Sequence, residues 1–162
     1  LIERLLSAAA QAPNHYKVRP WRFIVLQGEA LRRLGDVFAD ILQSQHADLP
    51  ESALDKERSK PLRAPLVIAV GVDLPQDPRV IEIENVCAAA AAVQNLLLAA
   101  EALGLATKWR TGSQAFEPRV KQFLGLHPQQ PLIGFIYIGY PQDAQGTPDE
   151  RPSFEDRTVW LD

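Results

Sequence analysis

What this chain has little of narrows it first. Its 162 residues include one cysteine, Cys87, and no methionine. A lone thiol cannot close an internal disulfide, so a small secreted scaffold held by cross-links is excluded. Charge of one sign is not in excess: 17 Lys and Arg against 20 Asp and Glu leave a net charge of −3 and a pI of about 5.6. That balance offers no basic stripe to neutralise nucleic-acid phosphates. No charge-free apolar stretch reaches the ~18 residues of a membrane-spanning helix. Glu3 and Arg4 also break the pattern of a signal peptide. Nucleic acid and membrane are therefore not expected partners, and the expected compartment is the cytoplasm.

Chemistry-bearing motifs are missing as well. There is no GxGxxG after a strand, no phosphate loop ending in Gly-Lys-Ser/Thr, no HExxH and no Cys or His pair at metal-ligand spacing. A dinucleotide fold and a zinc site lose their support, and no metal site is expected. His15, His46 and His127 fall in three separate loops, where each alone reads more readily as a surface residue than as a catalyst. Ser113 and Ser7 lie outside any GxSxG elbow, which speaks against a serine hydrolase. Cys87, in an alanine-rich run, reads as a small core residue.

What is present is enough apolar material, 46% of the chain, for one domain spanning residues 1–162. Leu1 to Ala10 reads as the last turns of an amphipathic helix with no cap before it, so a native N-terminal segment is expected upstream. Pro13 and Pro20 bracket a loop, and Trp21 to Leu26 is an aromatic and β-branched strand. Glu29 to Gln43 places Leu31, Leu34, Phe38 and Ile41 on one helical face. Ser44 to Arg63 is a polar connection with room for a short helix. Leu66 to Val72 is a continuous apolar run, fit for a strand covered on both sides. Ile81 to Leu103 carries only three charges, Glu82, Glu84 and Glu101, and predicts a long helix, apolar all round and hence buried. A third strand over Ala106 to Arg110, a short helix over Glu117 to Leu124 and a fourth strand over Pro131 to Tyr137 follow. The spacing predicts an α/β or α+β sandwich: a mixed sheet of four to five strands between helices, joined through helices rather than hairpins.

The tail from Gln142 to Asp162 is polar but carries Phe154, Val159 and Trp160, large residues to leave in water. They are expected to dock, on the same subunit or on a partner. Two loops stand out for function. Ala12 to Phe23 offers polar side chains and free N–H groups between a helix and a strand, suited either to a heteroaromatic ligand or to a plain connector. Lys108 to Ser113 lies at the carboxyl end of a strand, where open sheets tend to bind ligands; there Trp109 reads equally as core and Arg110 as a surface charge.

The segments APNHYKVRPWRF, EIENVCAAAAAVQNLLLAAEALGLATKWRTG and IGFIYIGYP, in this order, resemble characteristic blocks of the nitroreductase family, in its compact NAD(P)H nitroreductase branch. The resemblance implies a homodimer with FMN at the subunit interface, reduced by NAD(P)H and reoxidised by a small acceptor such as a nitroaromatic or quinone. By position it implies flavin contacts from Gln11, Pro13, Asn14, His15 and Lys17 on one loop and from Trp109, Arg110, Thr111 and Gly112 on the other. Main-chain N–H groups of Thr111 and Gly112 would face the isoalloxazine edge. No side chain is assigned a catalytic role. The family's Arg-Arg-Ser, which holds the phosphate and ribityl chain, would lie upstream of Leu1, and Arg19 stands where the family usually has Gln.

Overall fold

A computed structural model describes residues 1–46, 48–142 and 152–161. Helix α1 (Ile2–Ala9) leads through a 3-10 turn at His15–Lys17 to strand β1 (Trp21–Gln27). Helices α2 (Glu29–Gln45) and α3 (Glu51–Ser59) precede β2 (Leu66–Val72). The long α4 (Glu82–Ala102), β3 (Ala106–Arg110), α5 (Pro118–Phe123) and β4 (Leu132–Gly139) complete the order. Each expected strand and helix is present, and the polar connection after α2 folds as α3.

One sheet, in the order β1-β2-β4-β3, forms the middle layer. Every neighbouring pair is antiparallel, which corrects the expected mixed sheet. The reason lies in how the helices return the chain. Between β1 and β2 two helices run out and back, so β2 starts at the end where β1 stopped. The single α4 carries the chain back along the sheet, so β3 runs the same way as β2, with β4 between them. Helical connections alone do not fix strand direction.

All seven residues of β2 are buried, as a central strand under two helical layers requires. Its side chains alternate. Leu66, Ile68, Val70 and Val72 join Ile136 and Ile138 against α1 and α4. Val67 and Ala69 join Phe135 and Tyr137 against α2 and α5.

Helix α4 is long and apolar enough, by length and composition, to cross a membrane. Its face of Ala89, Ala92, Val93, Leu96 and Ala100 instead packs on the sheet. The expectation that it is buried all round is not met within one chain. Ile83 and Leu98 are 61% and 60% exposed, and Cys87 is exposed rather than a core residue. One sheet covers only one side of a helix, and an alanine-rich sequence does not say which side. In the tail, positions 143–151 lie outside the described residues. Phe154, Val159 and Trp160 are exposed on this chain, so the docking surface expected for them is not its own core.

Candidate functional site

The register places both candidate loops at one end of the sheet. Trp21 at the start of β1 pairs with Val72, Gly71 with Leu132, and Phe135 with Arg110 at the end of β3. Because β1 and β3 are the two edge strands, three inter-strand spacings, about 14 Å, separate the loops.

The first loop is strained and braced. Tyr16, Lys17 and Arg19 all have positive φ, at 49°, 56° and 50°, a left-handed conformation that costs an L-residue roughly 1–2 kcal/mol. Asn14 spans the loop: its Oδ1 accepts the Arg19 N–H at 2.8 Å and its Nδ2 donates to the Ala12 carbonyl at 3.3 Å. His15 Nδ1 lies 2.8 Å from Glu84 Oε2 on α4. The His15 and Tyr16 rings stack at 4.3 Å, and the Arg79 guanidinium sits 4.5 Å from the centre of the Tyr16 ring. Asp77 grips Arg79 with both oxygens; those hydrogen bonds hold the Asp77 carboxyl down at about 2. Hydrogen bonds from His15 and then from the Ile81 N–H likewise hold Glu84 below the usual carboxylate range. Pro13, Asn14, His15, Ile83, Glu84 and Cys87 line an open groove of about 610 Å³ over the outer face of α4. Gln11 lies outside this groove, its amide donating to the Ser7 carbonyl at 3.4 Å, and Lys17 is exposed.

The second loop is positioned by a glycine across the strand pair. Gly134 has φ 145°, and a Cβ there would lie 2.5 Å from Trp109 Nε1 and 2.6 Å from the Arg110 carbonyl oxygen. The bare backbone lets the indole lie down and donate to the Ile133 carbonyl at 3.1 Å. Through this bond Trp109 pins β3 to β4. Gly112 follows with φ 119° and ψ −173°, a region open in practice to glycine alone. Its carbonyl accepts the Ala115 N–H at 3.0 Å, while the N–H groups of Thr111 and Gly112 have no backbone partner among the described residues.

Arg110 and Thr111 edge a pocket of about 100 Å³ on the α2 face, walled by Lys60, Arg63, Gln114 and Tyr137. Lys60 is paired with Glu57, which also accepts from Gln114 at 3.3 Å. Arg63 and Arg110 have no carboxylate partner among the described residues. Burial raises the Tyr137 phenol above its ordinary range, and the charges of Arg110 and Arg63 pull it part of the way back, so both guanidinia act on that hydroxyl.

One chain therefore brings Asn14, His15 and Pro13 together, and Trp109 to Gly112 together, but not the two sets with each other. Glu84, Lys60, Arg63 and Tyr137 were not anticipated from sequence. Lys60 and Arg63 look like ordinary solvated charges in a polar connection, and only the fold lays them beside Arg110.

This geometry has counterparts among known proteins. Residues 1–140 match the nitroreductase family. The Escherichia coli K12 protein named "Putative NAD(P)H nitroreductase YdjA" is 33% identical over 155 residues, covering 93% of this chain and 84% of the relative. A nitroreductase-like family protein from Bacillus cereus superposes with a TM-score of 0.78 at 26% identity, over 99% of this chain and 83% of that one. A Desulfovibrio desulfuricans structure described as a "putative nitroreductase in complex with FMN" gives 0.68 at 25% identity, over 99% and 83%.

Proposed function

This chain belongs to the nitroreductase family, and from that membership we propose that it works as an FMN-dependent oxidoreductase, taking hydride from NAD(P)H and delivering it to a small acceptor such as a nitroaromatic or quinone. The observation that carries the reading is the pair of main-chain donors at Thr111 and Gly112, set by a glycine conformation at Gly112 and without a backbone partner among the described residues. The FMN of the Desulfovibrio relative and the NAD(P)H in the name of the Escherichia coli relative supply the cofactor and the reductant.

The residues present fit such a group. A flat heteroaromatic edge rich in acceptors needs N–H donors, and Thr111, Gly112 and the guanidinium of Arg110, which has no carboxylate partner among the described residues, provide them. FMN, when bound, supplies two-electron chemistry to the site. The chain's own part is electrostatic: fixed donors stabilise negative charge arriving at that edge, at no cost of reorganisation during reaction. Arg63 and Arg110, with the Tyr137 hydroxyl, add positive potential beside the same loop.

Pro13 to His15 would come from one subunit and Trp109 to Gly112 from the other, since a single chain holds these loops apart at opposite sheet edges. Isologous pairing then makes two equal sites. The exposed outer face of α4 and the apolar tail are the surfaces such a homodimer would bury. A single thiol and a reaction that consumes nicotinamide suit the cytoplasm. Nicotinamide and acceptor would use one open groove in turn, an alternation of half-reactions.

Two measurements test this. A yellow preparation should bleach with NADPH and recover colour with nitrofurazone or menadione; a protein that retains FMN yet is not bleached is a flavin carrier instead. Thr111→Ala should leave turnover nearly intact while Thr111→Pro, which deletes the N–H, should abolish it. Equal turnover in the two variants would remove the main-chain donor from the proposal.

A further inference from the structure

Glu84 stands in the first turn of α4, and a single oxygen of its carboxylate has two tasks. Oε2 accepts the Ile81 N–H at 3.1 Å, closing the helix start, and lies 2.8 Å from His15 Nδ1. A carboxylate only accepts, so Nδ1 carries a proton whatever the charge on the ring. In the neutral imidazole the lone pair is then on Nε2. One face of the ring is also fixed by stacking on Tyr16, which is held beneath Arg79, which is held by Asp77. His15 is left with one polar atom, Nε2, on a side chain that is 49% exposed and lines the groove over α4. An idle surface histidine needs none of this, nor the left-handed residues that follow it.

We infer that Glu84 is a positioning residue of the candidate site: it fixes the tautomer and orientation of His15, so that Nε2 is offered to a hydroxyl or N–H donor of the ligand in the α4 groove. The inference rests on the flavin reading above, the donor then being a ribityl hydroxyl or a ring N–H of FMN. Glu84 itself touches no reacting atom. The hydrogen bonds from His15 and Ile81 hold its carboxyl below the ordinary range, which favours the ionised, accepting form.

The geometry supplies its own control. Both contacts fall on one oxygen, so the amide oxygen of Glu84→Gln can accept from Ile81 and His15 alike, whereas Glu84→Leu accepts from neither. In the full chain, FMN affinity is measured by fluorescence and the His15 tautomer by imidazole ¹⁵N shifts. Expected are an Nδ1–H ring in wild type and in Glu84→Gln, with affinities within about threefold of each other. Glu84→Leu should bind about tenfold more weakly, the scale of one lost hydrogen bond, and adding His15→Ala to it should cost nothing more. An Nε2–H ring in wild type, or losses from the two changes that simply add, would overturn the inference. Should wild type bind no FMN at all, the flavin reading fails, while the ¹⁵N shifts with and without the Glu84 carboxylate still decide whether it sets the tautomer.

Discussion

Gly112 concentrates the residue-scale argument. A methyl group added there would meet Gln114 Oε1 at 3.5 Å and nothing nearer, so space is not what demands glycine; φ 119° is. Gly112→Ala should therefore fold, at a strain of roughly 1–3 kcal/mol, and lose flavin at least tenfold as the loop relaxes and turns its N–H groups away. Unchanged flavin affinity with an unchanged melting temperature would show the loop is not held this way in solution. Asp77 gives a pH test. Its folded value is lowered from 3.8 to about 2 by Arg79, so the Asp77–Arg79 pair contributes fully above 3.8 and is lost as pH falls through about 2. Asp77 is half-buried and its partner Arg79 exposed, so the effect is local: the Asp77 carboxyl ¹³C shift should titrate near 2, and a midpoint near 3.8 would mean that Asp77 does not hold Arg79 in solution. Neither property is legible in sequence. Gly112 follows a strand in the plain order of the chain, but its torsions depend on where the next turn begins.

At the scale of elements, β3 is the vulnerable piece. It is a five-residue edge strand, and its last turn onto β4 depends on the indole of Trp109 lying over bare backbone at Gly134. Gly134→Ala forces a Cβ into Trp109 Nε1 and the Arg110 carbonyl. It should lower the melting temperature and release flavin together. Trp109→Phe keeps the ring but loses the bond to Ile133, and should cost only about 1 kcal/mol. If both variants melt alike, the close approach is not what holds the strand. The boundaries of β2 and β3 could be read directly, because β2 is a continuous apolar run opened by Pro65 and β3 is a short segment between Gly104 and Gly112. Strand direction could not, since it depends on whether a connection crosses the length of the sheet, as α4 does, or comes back to the end it left, as α2 with α3 and α5 do.

For the whole molecule, the outer face of α4 and the tail predict association. Leu98→Glu, a change on a 60% exposed position, should leave the chain folded but monomeric by sedimentation and poor in flavin; interfaces of obligate dimers bury roughly 2,000 Å² or more, and a charge at their centre is not tolerated. A Leu98→Glu protein that stays dimeric would place the interface elsewhere. Complementation tests the shared site itself. Mixing a His15→Ala chain with an Arg110→Ala chain, each poor in flavin, should restore one intact site per heterodimer. Confirmed subunit exchange without recovered flavin would mean that each site belongs to one chain.

The family, the α+β class, the order of elements and the two loops were all determined by the sequence alone, because hydrophobic period, Pro and Gly punctuation and short blocks such as KWRTG act locally. Tertiary structure alone decided the antiparallel sheet, the open side of α4, the exposure of Cys87, and the company kept by each loop: Glu84 for His15, Lys60 and Arg63 for Arg110. These pairs are far apart in the chain. A charge on a helix end or in a polar connection carries no local mark of its partner, and only the packing of α4 and of the Pro61–Arg63 turn onto one sheet brings them within reach.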